Sequence, residues 1–327
     1  MRYAQASHGQ VSYGSEGTAY EKAGSTDGYF GLVTDDVEVV NPNEVTPMAT
    51  SGGRRGPHVN SPDPRTYEFE VPFLVLDHGA PFEYALGNRS TTSKDPDGTA
   101  DSGDEYTEYL FTEADKLPTM TVEHQQEDVG LQEWFVGSKA NLELSAEQGD
   151  PLEATMAVTA AKREYDDAPE SYTTLSVPQN RSPFRFWMAG DVTLSDPADG
   201  STVDTVATVS GIDLSWENGL EPQHTGTGRD AHAVAETTGA EKYDMSITVT
   251  VTDTALYRRA AEDQVPVDVE IPFYRPPGNG SVTDALFIRL KGCTVTSAPI
   301  PDAGEGVVES EVGLAPRETE IEIRDPA

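Results

Sequence analysis

The stretch GSKANLELSAEQGDPLEATMAVTAA, Gly137 to Ala161, decides the fold class. Ala140, Leu142, Leu144 and Ala146 are apolar at alternate positions, with Lys139, Asn141, Glu143 and Ser145 between them. After Glu147-Gln148-Gly149-Asp150-Pro151 the alternation resumes: Leu152, Ala154, Met156, Val158 and Ala160 against Glu153, Thr155, Ala157 and Thr159. Successive side chains of a strand point to opposite faces, so a period of two reads as a β-hairpin with one buried face and one wet face. Gly149 supplies the positive φ of a short loop, and Pro151 stands at a strand entry, where no ladder hydrogen bond is lost. The remainder of the chain reads as strands added to this hairpin.

The chain has 327 residues, room for one large all-β domain or two smaller ones, and a single domain over 1–327 is expected. Its 22 Lys and Arg against 57 Asp and Glu leave a formal charge of −35. So few cations argue against duplex nucleic acid held by phosphate neutralisation. The acidic surplus accompanies Trp, Tyr and Phe in regular strand patterns, which points to an ordered protein working in concentrated salt rather than a disordered acidic one. Arg outnumbers Lys, which agrees. The single cysteine, Cys293, excludes an internal disulfide and a Cys-based zinc site and reads as a small core residue. The N-terminal MRYAQASHGQ has no hydrophobic signal region, and no apolar run approaches the roughly 20 residues of a membrane span.

Residues 1–30 fix no regular structure. Phe30–Val40 and Thr66–Leu76 read as strands, separated by a Pro-rich loop or arm over 41–66. Residues 87–105 read as a polar loop, Leu117–Gln125 as a strand, and 162–180 as irregular with a short helix. Aromatic strand material follows at Phe184–Leu194. Two strong amphipathic strands come next. In Val206–Asn218, Ile212, Leu214 and Trp216 oppose Asp213, Ser215 and Glu217; in Lys242–Thr252, Tyr243, Met245, Ile247, Val249 and Val251 oppose Asp244, Ser246, Thr248 and Thr250. The excursion between them, 219–240, is long for a compact domain, where such loops serve function or partners. A helix is expected at Ala255–Glu262, then strands at Val265–Tyr274, Ala285–Val295, Val307–Leu314 and Glu318–Ile323. About a dozen antiparallel strands with one or two short helices make a β-sandwich or barrel.

Motifs for catalysis are absent: there is no HExxH, GxSxG, GxxxxGK[ST] or CxxC. Gly226-Thr227-Gly228-Arg229-Asp230-Ala231 matches a dinucleotide outline without a βα context. Asp95, Asp97, Asp101 and Asp104 crowd one loop closely enough to hold Ca²⁺ or Mg²⁺, but they lack EF-hand spacing, and a solvated loop is the plainer reading in so acidic a chain. His224 and His232 share a loop without ligand spacing. No cofactor and no enzymatic activity are expected.

The runs LPTMTVEHQ (117–125), WFVGSKANLELSAEQGDPLEATMAV (134–158), VSGIDLSWENGLEP (209–222), KYDMSITVTVTD (242–253) and ALYRRA (255–260) stand in a fixed order that resembles the tail tube protein of long-tailed, siphovirus-like double-stranded DNA viruses. FGLVTDD and TYEFEVPFLVLDHGAPFEYALG resemble the family's N-terminal portion, and the acidic composition is similar to that of viruses of salt-loving archaea. The resemblance implies a virion protein, assembled in the host cytoplasm, whose β-sandwich subunits form six-membered rings. Each copy would add a four-stranded sheet to one continuous barrel, and the rings would stack into the channel for DNA ejection. Its partners would be its own copies, the tape measure, baseplate and tail terminator proteins, and passing DNA that is not specifically bound; no membrane is involved.

The four amphipathic strands 138–146, 152–161, 206–218 and 242–252 fit that part. Joining their edges into a ring removes the exposed edges that invite stray pairing. Twenty-four strands about 4.8 Å apart and tilted near 40° enclose a backbone cylinder roughly 45–50 Å across. The lumen would then be lined by Lys139, Asn141, Glu143, Ser145, Glu153, Thr155, Thr159, Asp213, Ser215, Glu217, Asp244, Ser246, Thr248 and Thr250, a wall on which DNA slides without sticking. Pro222, His224, Arg229 and His232 of the excursion, with Arg54 and Arg55 of the arm, are the candidates for contact between rings. The competing readings are a monomeric salt-adapted sandwich that binds, decorates or belongs to a baseplate, and a metal-dependent hydrolase built on the 95–105 carboxylates.

Overall fold

The alternation that marks the hairpin recurs through most of the chain, and a computed structural model turns it into stacked antiparallel sheets. It describes residues 9–34, 37, 45–48, 59–76, 80–96, 105–147, 149–166, 169–176, 181–185, 192–206, 209–225, 228–237, 242–250, 265–275, 284–299 and 309–326. In order come β1 (Gly9–Ser15), β2 (Leu32–Val33), β3 (Val45–Met48), β4 (Val59–Pro62) and β5 (Tyr67–Leu74). A 3-10 turn at Ala80–Phe82 opens α1 (Glu83–Leu86), followed by β6 (Gly87–Lys94), β7 (Tyr106–Glu113), β8 (Met120–Gln126), β9 (Leu131–Glu147), β10 (Glu153–Ala160) and β11 (Lys162–Asp166). Then come β12 (Val192–Ser195), β13 (Thr202–Val206), β14 (Val209–Trp216), β15 (Leu220–Gln223), β16 (Ala233–Glu236) and β17 (Tyr243–Thr250). The last four are β18 (Val267–Tyr274), β19 (Ala285–Ser297), β20 (Glu309–Ala315) and β21 (Glu318–Pro326).

The long sheet runs β2-β5-β10-β9-β14-β17-β20 and ends on the last residues of β19. Against it packs a second sheet, β13-β12-β18-β19-β21-β7-β6. A third, β1-β8-β9-β11, uses the first residues of β9. Two strands therefore change sheets. β9 turns at Gly137, whose φ of 70° only glycine adopts without strain, and a Cβ there would stand 2.4 Å from the Tyr20 ring. β19 turns in the same way at Gly292, φ 56°.

Between the first two sheets lies the core. Leu142, Leu144, Met156, Val158, Ile212, Leu214, Trp216, Ile247 and Val249 are buried, as the alternation requires, against Val269, Ile271, Phe273, Leu286, Ile288, Ile321 and Ile323. Cys293 is buried with them. Phe82, Tyr84 and Leu86 of the helical turn plug one end, Phe82 meeting Phe111 edge-on at 5.7 Å. Trp216 crosses the core to donate its indole N–H to Thr319 Oγ1 at 2.7 Å. Glu113 accepts from Thr319 and, at 2.7 Å, from Lys242 Nζ, tying the second sheet to β17.

Several expectations need correction. Of the strand read over Phe30–Val40, residues 30–34 and 37 are described, and among them only Leu32–Val33 are strand, as β2. The first thirty residues contain β1, which pairs with β8 along its length. The polar loop read over 87–105 begins with the eight-residue strand β6. The arm over 41–66 contains the β3–β4 hairpin. Lys162–Asp166, read as irregular, extends the third sheet as β11. The helix expected at Ala255–Glu262, the residues Arg54 and Arg55, and Asp97, Asp101 and Asp104 all lie outside the described residues; Asp95 is exposed.

Candidate functional site

The wet face of the long sheet gathers most of the polar residues singled out in the sequence. β10, β9, β14 and β17 are adjacent in that order, so register alone lines their side chains into rows. One row runs Thr155, Glu143, Ser215, Asp244; the next runs Glu153, Ser145, Asp213, Ser246. A third places Thr248 between Gly211 and Glu311. Glu143, Asp213, Glu217 and Asp244 are exposed, while Asn141, Ser145, Glu153, Thr155, Ser215, Ser246 and Thr248 are half-buried. Thr250 lies in β17, but its side chain falls outside the described residues.

The face is wider than four strands. β5 adds Glu68 and Glu70, opposite Thr159 and Ala157, and β20 adds Glu309 and Glu311. These four carboxylates were missed, although the alternation Tyr67-Glu68-Phe69-Glu70-Val71 signals the first two. β5 and β20 also occupy the edges of β10 and β17 at which neighbouring copies were expected to join. That joining is corrected: within this chain both edges are already hydrogen-bonded.

Two residues assigned to the wet face are covered. Lys139 is 2 % exposed and Thr159 8 %. The 219–240 excursion is no open loop: β15 and β16 form a hairpin that lies against β9 and β10. Lys139 Nζ donates to Val234 O at 2.9 Å and pairs with Glu236. Tyr20, Leu117 and Ala161 also bond the hairpin, and Tyr67 donates to Asp230 at 2.9 Å. Arg229 donates from Nε to Asp63 O at 2.9 Å, and it and Pro222 are half-buried. His224 and His232 are exposed near the turn, the latter placing Nδ1 2.6 Å from Gln223 O. Among the described residues, no three His, Cys, Asp or Glu side chains converge as metal ligands.

With Lys139 spent on Glu236, the open face has carboxylates and hydroxyls and, among the described residues, no ion pair. Partial desolvation within the crowded row, and then the neighbours Asp213, Glu70, Glu217 and Glu153, push the Glu143 carboxyl above its usual range although its tip reaches solvent. Partial desolvation, then Asp244 and Glu311, do the same to Asp213. The outer face of the second sheet is built differently. There Arg289 lies 2.7 Å from Glu270 and also pairs Glu322, Lys291 pairs Glu320, and Arg324 pairs Glu322. The second sheet's outer face thus mixes cations with its carboxylates, whereas the open face of the long sheet has no cation among the described residues.

The phage tail tube protein family model matches residues 7–316. The chain belongs to that family. No curated protein matches it. Membership agrees with the β-sandwich and places the chain among virion proteins; the family match spans the whole carboxylate face.

The face makes a stability prediction. A carboxyl whose folded pKa is raised destabilises the fold above that pKa, and the penalty is relieved as pH falls through it. Glu143→Gln is therefore expected to raise the melting temperature at pH 7 in low salt by roughly 1–2 °C. The gain should vanish near pH 4 and shrink to the desolvation part in molar salt, where the Debye length is about 3 Å and the repulsion by Asp213, Glu70, Glu217 and Glu153 is screened. Calorimetry across pH and salt checks it; an equal gain at every salt concentration would mean that repulsion is not the cause. Glu113, Glu133 and Glu322 work the other way. Burial opposes their ionisation, but hydrogen bonds and cations (Lys242, Thr319 and Tyr243 on Glu113) outweigh it and hold each below the usual range. Their stabilisation is complete above the unfolded glutamate pKa and is lost as pH falls through their lowered values.

Proposed function

We propose that copies of this chain close into rings of six, that the rings stack into the tail tube of a siphovirus-like virion of a salt-loving archaeal host, and that the carboxylate face lines the bore. Family membership supports the tube. The observation that carries the choice of face is the contrast between the two sheets: Arg289, Lys291 and Arg324 pair Glu270, Glu320 and Glu322 on the second sheet's outer side, while among the described residues no cation pairs a carboxylate on the open face of the long sheet. A bore lined by Glu143, Asp213, Asp244, Ser215 and Thr248 offers phosphates no fixed partner. In concentrated salt, repulsion acts only near contact, so the wall prevents sticking without confining the DNA by long-range force. The central strands β10, β9, β14 and β17 form the lumen, and the flanking edges around β5 and β20 carry contact between copies. The exposed tip of the β15–β16 hairpin at His224 and His232 serves contact between rings. The role is structural, with no reaction assigned.

Negative-stain microscopy of the purified chain in molar salt tests this. Rings and tubes with a stain-filled centre are the expected result. A chain that stays monomeric at all salt and protein concentrations would instead support a solitary binding or decoration module.

A further inference from the structure

We infer that the outer edge of β6 pairs, backbone to backbone, with a second copy of this chain. The inference rests on the assembly proposed above but concerns the second sheet, away from the bore. β6 is the last strand of its sheet and matches β7 residue for residue over eight positions without a bulge. Its residues Asn88 to Ser93 are all exposed. Long exposed edges are normally blunted by proline, by a bulge or by an inward charge, because a row of free N–H and C=O groups templates another strand. GNRSTTSK has one inward charge near its start, Arg89 over the Phe111 and Tyr109 rings, but beyond it Ser90-Thr91-Thr92-Ser93 is a flat neutral run with β-branched residues at its centre. Among the described residues, β2 is two residues long and the β1 edge is crossed by a bridge between Tyr13 and Gly28. Among the described residues, β6 is thus a long edge with no strand on its outer side.

Charge selects the occupant. A second copy brings a formal charge of −35. β6 has no carboxylate and ends in two cations, Arg89, 3.8 Å from Glu83, and Lys94, 3.4 Å from Glu108. An acidic neighbour therefore meets no like charge along this strand. The backbone contact is also addressable residue by residue. Ala114 N donates to Leu86 O at 2.8 Å, in line with the β6–β7 register, which puts the hydrogen-bonded positions of β6 at even residue numbers. Counting by two along the ladder, Asn88, Ser90 and Thr92 turn their N–H groups toward β7, and Arg89, Thr91 and Ser93 turn theirs outward.

Proline at an outward position removes the free donor without breaking a bond to β7. Thr91→Pro and Ser93→Pro are expected to melt within a few degrees of the parent. In sedimentation and negative stain their assembly should fall more than tenfold, while Thr91→Val, which keeps the N–H, assembles like the parent. Should Thr91→Pro fail to fold, Ser93→Pro, near the strand end, decides. Folded proline variants that build parent-like tubes overturn the inference and leave the tube reading standing. A parent chain that never associates overturns both.

Discussion

Ile247→Asp should leave no cooperatively folding protein. Ile247 is fully buried at the middle of the long sheet, facing Ile212 on β14 and Val312 on β20. Truncating its apolar side chain alone costs about 2–5 kcal/mol, and an unpaired carboxylate in that place adds several more. Domains of this kind are stable by about 5–15 kcal/mol in total, so the sum approaches or exceeds the reserve. Ile247→Val, which removes one methylene, should cost about 0.5–1.5 kcal/mol and fold normally. Circular dichroism and thermal melts of the soluble fraction separate the cases. An aspartate variant melting near the parent would mean that the two faces of β17 have been exchanged, and with them every residue assigned to the bore.

That assignment was legible because side-chain direction in a strand follows from sequence alone. Ala140, Leu142 and Leu144 point inward and Asn141, Glu143 and Ser145 outward, as their alternation requires, and the order β10-β9-β14-β17 places the amphipathic strands side by side. What alternation does not encode is cover supplied by distant segments. Lys139 has the correct parity for the wet face, yet a hairpin 95 residues further on lies over it and accepts its ammonium. Glu123 has no exposed surface because Ser12, Thr26, Gln132 and Thr173 converge on its carboxylate from four parts of the chain. β6 was hidden for the opposite reason: exposed along most of its length, it carries no hydrophobic period. β1 is buried over Val11–Gly14, and its polar Ser12 is satisfied by Glu123, so polarity and burial do not track there. Edges followed the same logic. The four strong strands looked like complete units, and the flanking β5 and β20, with only two wet carboxylates each, read as ordinary sandwich strands.

Placing a cation in the bore should slow DNA passage while leaving the fold and the tube intact. Thr248 is half-buried on the wet face, so a lysine there keeps its ammonium in water. Alone it would be neutralised, since Glu311 stands directly opposite on β20. Thr248→Lys combined with Glu311→Gln removes the carboxylate directly opposite the cation and changes the wall by two charges per copy. A single exposed lysine–phosphate contact is worth no more than about 1 kcal/mol, but each ring repeats it and the DNA must break contacts in many rings as it moves. A barrier raised by about 1.4 kcal/mol already means a tenfold loss of rate. Ejection triggered from purified virions is therefore expected to slow at least tenfold at the lowest salt that keeps particles whole. It should recover steeply as salt rises, because phosphate contacts are broken by competing counter-ions. The salt dependence separates this cause from a narrowed bore, which would slow ejection equally at every concentration. Unchanged ejection at the lowest salt, from virions shown to carry the variant, would mean that DNA does not run against the face bearing Glu143, Asp213 and Asp244.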